Sequence, residues 1–313
     1  LNGLHYRQHY LCFAAETFSH PLYLYLVREG EIVKDITALH AFIGYCPVVF
    51  ALPAQPGING STEVQTVFSP DRLAAGKKIS EKGMLASLTL KKIATFQTGT
   101  GTVFYYKATR GVHRFIPGIR QLVGQLLNRL YNNKPGNVFL KGNLYQQVQI
   151  AYAVPRKISL ITVSFDDKYN LFPTDLHGQI NDDYYLISLR HGGKACAQVM
   201  TTGKIVLSEM KAAAYKQVYL LGKNHMQPMK DASQFDFSPN VSLHFGLPLP
   251  KDAVAWKELQ LESAFDAGIH RLMLLRIVAK GLIATAPETL VHVHNVYATW
   301  RDKKGWPGNY LLR

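Results

Sequence analysis

The sequence predicts a mainly β protein with peripheral helices. Six runs rich in β-branched and aromatic residues, each bounded by Gly, Pro, Asn or Asp, are typical of short strands. Only one long segment has clear helical periodicity. With 313 residues, of which 47% are hydrophobic, the chain can bury a large core, and its length favours two domains over one. Disorder is excluded as the dominant state.

Each predicted strand is a short apolar run whose length is typical of a β-strand. The six runs are residues 22–27, 48–52, 102–106, 158–163, 184–189 and 272–278. No apolar run approaches the ~20 residues with which a helix spans a bilayer, so we expect no membrane partner.

Helices are fewer. Residues 117–131 predict an amphipathic helix that packs its apolar face against the core. That face consists of Ile119, Leu122, Val123, Leu126, Leu127 and Leu130. Ser69 and Pro70 predict the cap and first residue of a helix over residues 70–75, and a third helix is predicted near residues 210–221.

A turn-forming cluster at residues 132–137 predicts a domain boundary after the helix predicted over residues 117–131. We therefore expect one domain over residues 1–143 and another over residues 144–313.

The two halves also show a repeated order of motifs. Thr37 and Thr174 are 137 residues apart (174 − 37), as are His40 and His177. A Gly-x-His-Arg motif recurs at residues 111–114 and 268–271 with a larger offset. This shared order favours a tandem duplication.

Charge and cysteine content limit the classes of partner. The formal net charge of +14 favours a phosphate-bearing ligand, but Lys and Arg form only pairs rather than long clusters, so nucleic acid is the less favoured partner.

Cys12, Cys46 and Cys196 lack the spacing of a disulfide framework or zinc site. The first residues lack the apolar core of a signal peptide, so we expect a cytoplasmic protein.

Two polar segments of the second half could bind an anion. Residues 170–177 read Asn-Leu-Phe-Pro-Thr-Asp-Leu-His and follow a predicted strand. Residues 190–194 read Arg-His-Gly-Gly-Lys and follow the next one. Backbone amides, two cations and two glycines there allow close approach to a bound phosphate.

With these motifs, about residues 147–300 resemble the flavin reductase-like, FMN-binding split-barrel family. The resemblance is carried by Pro155-Arg156, by Asn170-x-x-Pro173 followed by Thr174, by Lys194, and by Gly268-x-His270 before the last long strand. It implies a split β-barrel, FMN as the cofactor, and a flavoprotein oxidoreductase that uses NADH or NADPH and a small-molecule electron acceptor.

The resemblance also implies roles for individual residues. Asn170, Pro173, Thr174, Asp175, Leu176 and His177 would line the flavin and its ribityl chain. Thr174 and Lys194 would face the phosphate. Independently of the resemblance, the positive charges of Arg190 and Lys194 would stabilise both the phosphate and an anionic reduced flavin. His270 would be the catalytic residue. The sequence departs from the family pattern at Ala195 and Cys196, where the family supplies a hydroxyl to the phosphate.

The first half matches this pattern less well, because Val33 and Ile36 stand where Asn170 and Pro173 would align. The chain would then be a fused pair of barrels with one intact site, either monomeric as a pseudo-dimer or homodimeric. Arg110, His113 or Arg114 would be the contributors from the first, degenerate barrel.

Other functions remain alternatives. The first is a non-catalytic split-barrel module that has lost flavin and binds another phosphate-bearing or acidic partner, and the second is a nucleic-acid-binding protein. His292 and His294 would share one face of a strand, but no third metal ligand has a suitable spacing. The Gly-x-Ser-x-Gly, GxGxxG and P-loop motifs are all missing from the sequence.

Overall fold

The computed structural model describes residues 10–14, 20–54, 58, 61–79, 84–99, 101–132, 140–284, 288–306, 308 and 310–311. Residues 133–137 of the predicted boundary lie outside this range. Of the described residues, unit 1 contains those within 19–154 and 293–307, and unit 2 contains those within 10–18, 155–292 and 308–313. The main division thus falls between Val154 and Pro155, and each unit also takes a short segment from the other half of the chain.

Unit 1 is built on a seven-stranded antiparallel sheet. Its strands in chain order are β2 (Tyr23–Arg28), β3 (Glu31–Asp35), β4 (Ala41–Tyr45), β5 (Val48–Pro53), β6 (Glu63–Ser69), β7 (Ala86–Thr98) and β8 (Gly101–His113), and their order in the sheet is β3-β2-β6-β7-β8-β5-β4. Helices α1 (Gly118–Asn132), α2 (Leu144–Ala151) and α5 (Asn295–Lys303) belong to the same unit.

Unit 2 is built on a second seven-stranded antiparallel sheet. Its strands are β10 (Ser159–Phe165), β11 (Lys168–Thr174), β12 (His177–Gln179), β13 (Tyr184–Arg190), β14 (Lys204–Met210), β17 (Ala253–Ala267) and β18 (His270–Leu282), in the order β11-β10-β14-β17-β18-β13-β12. Helix α3 (Lys194–Thr202) follows β13, and α4 (Tyr215–Leu220) follows β14. Two smaller sheets contain β1 (Tyr10–Ala14), β9 (Arg156–Lys157), β19 (Leu290–His294) and β20 (Tyr310–Leu311), and β15 (Phe237–Val241) with β16 (Pro248–Pro250).

The two large sheets have the same strand order, position for position. In the first, His40 precedes β4 and its ring lies 5.7 Å from that of Phe50 on β5. In the second, His177 begins β12 and its ring lies 5.8 Å from that of Tyr185 on β13. The pairing of His40 with His177 therefore joins equivalent places in the two sheets.

The second motif match between the halves is wrong. Residues 111–114 lie at the end of β8, whereas residues 268–271 comprise the two-residue turn after β17 and the first two residues of β18. In unit 1 the equivalent turn follows Thr98, so the two Gly-x-His-Arg motifs occupy different places.

The second sheet curls so that its two edge strands approach each other. β11 and β12 are the opposite edges of the second sheet, yet only Asp175 and Leu176 connect them. Three virtual bonds of 3.8 Å limit the separation of Thr174 and His177 to about 11 Å between Cα atoms. Within the described residues neither sheet closes by hydrogen bonding, so each is a mainly β architecture with an open seam.

The six predicted strands and the helix over residues 117–131 are confirmed, but the helix over residues 70–75 and the packing of the long helix's apolar face are wrong. Residues 70–75 form bends and irregular backbone that end in a turn, rather than a helix. Tyr25 of β2 holds them, since its hydroxyl accepts a hydrogen bond from Leu73 N at 2.8 Å and lies 3.4 Å from the carbonyl oxygen of Asp71. Helix α1 exists, but its apolar face is exposed instead of packed, with Ile119 81% exposed. Across the described portion, no helix is long and apolar enough to cross a membrane.

Candidate active site

The predicted segment 170–177 lies at the corner where the edges of the second sheet approach. Asn170 and Thr174 lie on β11, with Thr174 opposite Ser159 of β10. After Asp175, the backbone rejoins the sheet at the other edge, where Ser188 N donates to the carbonyl oxygen of Leu176 at 2.9 Å. Leu176 and His177 are buried in unit 2. The segment is thus fixed at both ends.

The Asn170 side chain binds this corner to two other elements. Its Nδ2 donates to Gln198 Oε1 of α3 at 2.7 Å and to the carbonyl oxygen of Asn224 at 3.1 Å. Asn224 in turn donates to the carbonyl oxygen of Leu171 at 2.8 Å. Because Asn170 is 1% exposed and committed to these contacts, it positions the corner.

The second predicted segment forms the N-terminus of α3. Arg190 ends β13, and Gly193 is the N-cap, with extended backbone and no side chain capping the helix. The first turn of α3 carries no acidic residue, while Arg190, His191 and Lys194 are exposed around it. The unpaired N–H groups and dipole of a helix start attract anions. The start of α3 therefore has the charge and backbone groups that could attract an anion.

His225 connects the two segments, and the sequence reasoning missed it. Its Nε2 donates to the carbonyl oxygen of Pro173 at 2.7 Å. A Cβ added to Gly193 would lie 3.3 Å from the carbonyl oxygens of both Arg190 and His225, so glycine permits this close backbone approach. Nothing in the local sequence around His225 marks it as part of the site.

Asp175 lies among four histidines. Its Oδ2 is 2.8 Å from His292 Nε2, and its negative charge acts to raise the pKa of three others, His177, His225 and His270. The Asp175 carboxylate therefore has a protein partner at this corner. It contacts one histidine directly and acts on the pKa of three others.

His270 lies next to Arg190 in the ladder between β13 and β18. Its Nδ1 is 3.1 Å from Ser188 Oγ. Burial, together with the positive charge of Arg190, lowers the pKa of His270 to about 4. The imidazole is therefore neutral at pH 7 and can exchange hydrogen bonds but cannot act as an imidazolium acid.

His177 begins β12 in the same unit and is also buried. Its Nδ1 is 2.7 Å from the Tyr185 hydroxyl, and burial lowers its pKa to about 4. Nearby, burial acts to raise the pKa of Glu209, but Lys157 at 2.7 Å and Lys257 at 3.4 Å hold it below the usual value. This hydrogen bond and these ion pairs stabilise the part of unit 2 next to the corner.

Ala195 and Cys196, the departures from the family pattern, are 1% and 2% exposed in the core of unit 2. A hydroxyl at either position would face the core, so an anion at the start of α3 would rely on backbone N–H groups and on Arg190 and Lys194.

His292 and His294 have different surroundings. Tyr10 stacks on His292 at 5.2 Å, while His294 Nδ1 caps α5 by accepting from Val296 N at 3.2 Å. Among the residues that the structure describes, no group of three or more potential ligands could hold a metal ion.

Comparison with known proteins matches part of the chain to a family. The family model described as the flavin reductase like domain matches residues 151–301. A search of curated proteins gives no match.

Solved structures resemble part of the chain. An FMN-binding protein from Thermus thermophilus is 20% identical, with 42% of this chain and 77% of that chain covered and a TM-score of 0.38. An NADH:FAD oxidoreductase from Streptomyces globisporus is 16% identical, covers 51% and 95%, and has a TM-score of 0.43. The flavin reductase component of a bacterial two-component tryptophan halogenase is 21% identical, covers 44% and 86%, and has a TM-score of 0.39. Residues 151–301 therefore match the flavin reductase like domain.

Proposed function

We propose that the protein is a flavoprotein oxidoreductase that binds FMN without a covalent bond and takes hydride from NADH or NADPH. The observation that carries this proposal is the N-terminus of α3, which lacks acidic residues, is flanked by Arg190 and Lys194, and lies within the flavin reductase-like domain.

The residues at this corner fit a phosphate-bearing cofactor. The first N–H groups of α3 and the two cations provide charge-assisted donors for a phosphate. Gly192 is exposed, and a Cβ added to it would meet no atom within 4 Å, which leaves room for a ligand beside the helix start. Thr174, at the end of β11, is our candidate for a further phosphate contact.

FMN supplies the redox chemistry when bound, so the protein has only to hold, orient and electrostatically balance it. Arg190 and Lys194 provide positive charge for this purpose. Asn170 and His225 keep the corner and the helix start in register. We assign His270 as a neutral hydrogen-bonding group beside Arg190, because its low pKa leaves it uncharged at pH 7.

The finer parts of the proposal concern organisation and location. We propose two tandem split barrels with one flavin site, in unit 2, and a small-molecule electron acceptor. We also propose that the protein is cytoplasmic.

Titration of the purified protein with FMN, followed by its fluorescence, tests this function. We expect saturation at one FMN per chain and FMN-dependent oxidation of NADH or NADPH. Two equivalents per chain would contradict the single site. A flat titration, with no flavin released from the purified protein by acid, would refute flavin binding altogether.

A further inference from the structure

Helix α1 of unit 1 is oriented with its polar face inward. Gln121 Nε2 donates to the carbonyl oxygens of His113 and Ile116, both at 3.0 Å. Asn128, 4% exposed, donates to the carbonyl oxygen of Leu140 at 3.0 Å. Gly124 lies between them, and a Cβ there would be 3.8 Å from the Tyr145 ring. Hydrogen bonds and a small residue thus fix the helix to its unit.

The opposite face of α1 carries an aliphatic stripe that is open to solvent. Its members and their exposed fractions are Ile119 81%, Leu122 60%, Val123 49%, Leu126 54%, Leu127 40% and Leu130 70%. A contiguous apolar surface of this kind marks an interaction site rather than a random feature of a protein surface.

We propose that this aliphatic stripe is the surface through which two copies of the chain associate, with the two α1 helices packed antiparallel. The proposal does not depend on flavin binding.

The size of the stripe fits a stable pair. The exposed fractions of its side chains correspond to roughly 700 Å² per copy, so a pair would bury about 1,400 Å², within the ~1,200–2,000 Å² of a specific interface. A single helix face of this size therefore suffices without contributions from elsewhere.

The spacing of the stripe matches a helix-to-helix seam. Ile119, Val123, Leu126 and Leu130 alternate in steps of four, three and four, which is the d-a-d-a pattern of a coiled coil. Reversing one helix about the midpoint places Ile119 against Leu130 of the second copy, and Val123 against its Leu126. The seam is thus complementary to itself.

Charge favours the antiparallel arrangement. At 100° per residue, Arg120 and Arg129 flank the stripe on opposite sides. In the antiparallel register they lie nearest to Leu127 and Leu122 of the second copy, so their aliphatic stems can cover those leucines while the charges stay in water. Arg114 and Lys303 line one cleft at the start of α1, and antiparallel packing keeps these cations of the two copies apart.

Sedimentation equilibrium of the full chain tests the association. The monomer mass is 35.1 kDa, so we expect a species of about twice that mass. Leu126→Glu with Leu130→Glu should weaken the association about 100-fold or more, because two charges from each copy would enter the seam. The matched control is Leu220→Glu with Leu243→Glu, which changes two leucines of unit 2 that are 68% and 70% exposed, and should leave the mass unchanged.

Disulfide trapping tests the register. Mixing a Val123→Cys chain with a Leu126→Cys chain should give a cross-linked dimer under mild oxidation, whereas either chain alone should cross-link poorly. Efficient cross-linking of each chain with itself would overturn the antiparallel register.

Three results would overturn the proposal. The first is a wild-type chain that stays monomeric at high micromolar concentration, and the second is a double glutamate variant that circular dichroism shows to be folded and that still forms the dimer. The third is a monomer whose stripe instead binds vesicles of phosphatidylcholine and phosphatidylglycerol.

Discussion

The two seven-stranded sheets share one strand order but differ in what connects their strands. In unit 2 the link from β13 to β14, residues 191–203, contains α3 and its cationic start. In unit 1 the corresponding link from β5 to β6 is residues 54–62, which is too short for such a helix and its two turns. The strand order is therefore common to both units, whereas the candidate anion-binding helix α3 belongs to unit 2.

A second link shows the same contrast. Residues 211–252, between β14 and β17, carry Asn224 and His225 to the β11–β12 corner. The link from β6 to β7 in unit 1, residues 70–85, is much shorter. The comparison teaches that the candidate site is built by inserted segments on a sheet that both units possess.

Acid should produce the largest effect and should affect unit 2 more than unit 1. Burial lowers the pKa of His177 and His270 in unit 2, and of His113 in unit 1, to about 4 from 6.5. The unfolded chain then takes up protons that the folded chain excludes, so stability is complete above pH 6.5 and is lost as the pH falls towards 4. The loss is on the order of 3 kcal/mol per histidine.

Hydrogen exchange of peptides from the two units at pH 7 and pH 4.5 measures this difference. We expect unit 2 to lose protection first. A His177→Gln chain, compared with the wild type at both pH values, should show a smaller acid-induced loss in unit 2. Equal losses in both units would contradict the assignment of two such histidines to unit 2.

The strands were predictable because their apolar runs reflect local burial, but contacts distant in sequence were not. Tyr25 holds residues 70–75 from a strand about 50 positions earlier. The periodicity of α1 correctly predicted a helix, yet periodicity alone does not tell whether an apolar face meets the chain's own core or another surface.

The candidate site was predictable only in part, for the same reason. Arg190 and Lys194 were identified because they follow a strand and flank two glycines. His225 and Gln198 reach the corner through long connections that leave no pattern in the sequence. Asp175 could be identified as a polar residue of the segment, but its partner His292 lies 117 positions away (292 − 175).

Removing the cations of unit 2 should abolish most of the FMN affinity. With Arg190→Ala and Lys194→Ala we expect FMN binding to weaken about 100-fold, since two charge-assisted contacts to phosphate are lost. Fluorescence titration measures the change.

Lys91→Ala with Lys107→Ala, a pair of exposed cations on the sheet of unit 1, provides the matched control. If both double variants weaken FMN binding equally, the net charge of the chain rather than the start of α3 attracts the cofactor.

Asn170→Ala should destabilise unit 2 by about 2 kcal/mol, because Gln198 and the carbonyl oxygen of Asn224 lose a buried partner. Urea unfolding measures the change, with the exposed Asn240→Ala as the control. Unchanged stability would show that the corner does not depend on this amide.

The smallest effect concerns unit 1. Tyr25→Phe removes the acceptor of Leu73 N and should cost about 1 kcal/mol in urea unfolding, with FMN affinity unchanged. A loss of FMN affinity would mean that unit 1 contributes to the site.

The exchange of short segments between the two units has a consequence for dissecting the molecule. Cutting the chain after Val154 would leave the second fragment without β1, a strand of the sheet that contains β19 and β9. It would also leave the first fragment without α5, whose buried Arg301 donates to the carbonyl oxygen of His20. Neither fragment would hold a complete unit, so the halves would have to be produced together and would regain their missing elements only by reassociating.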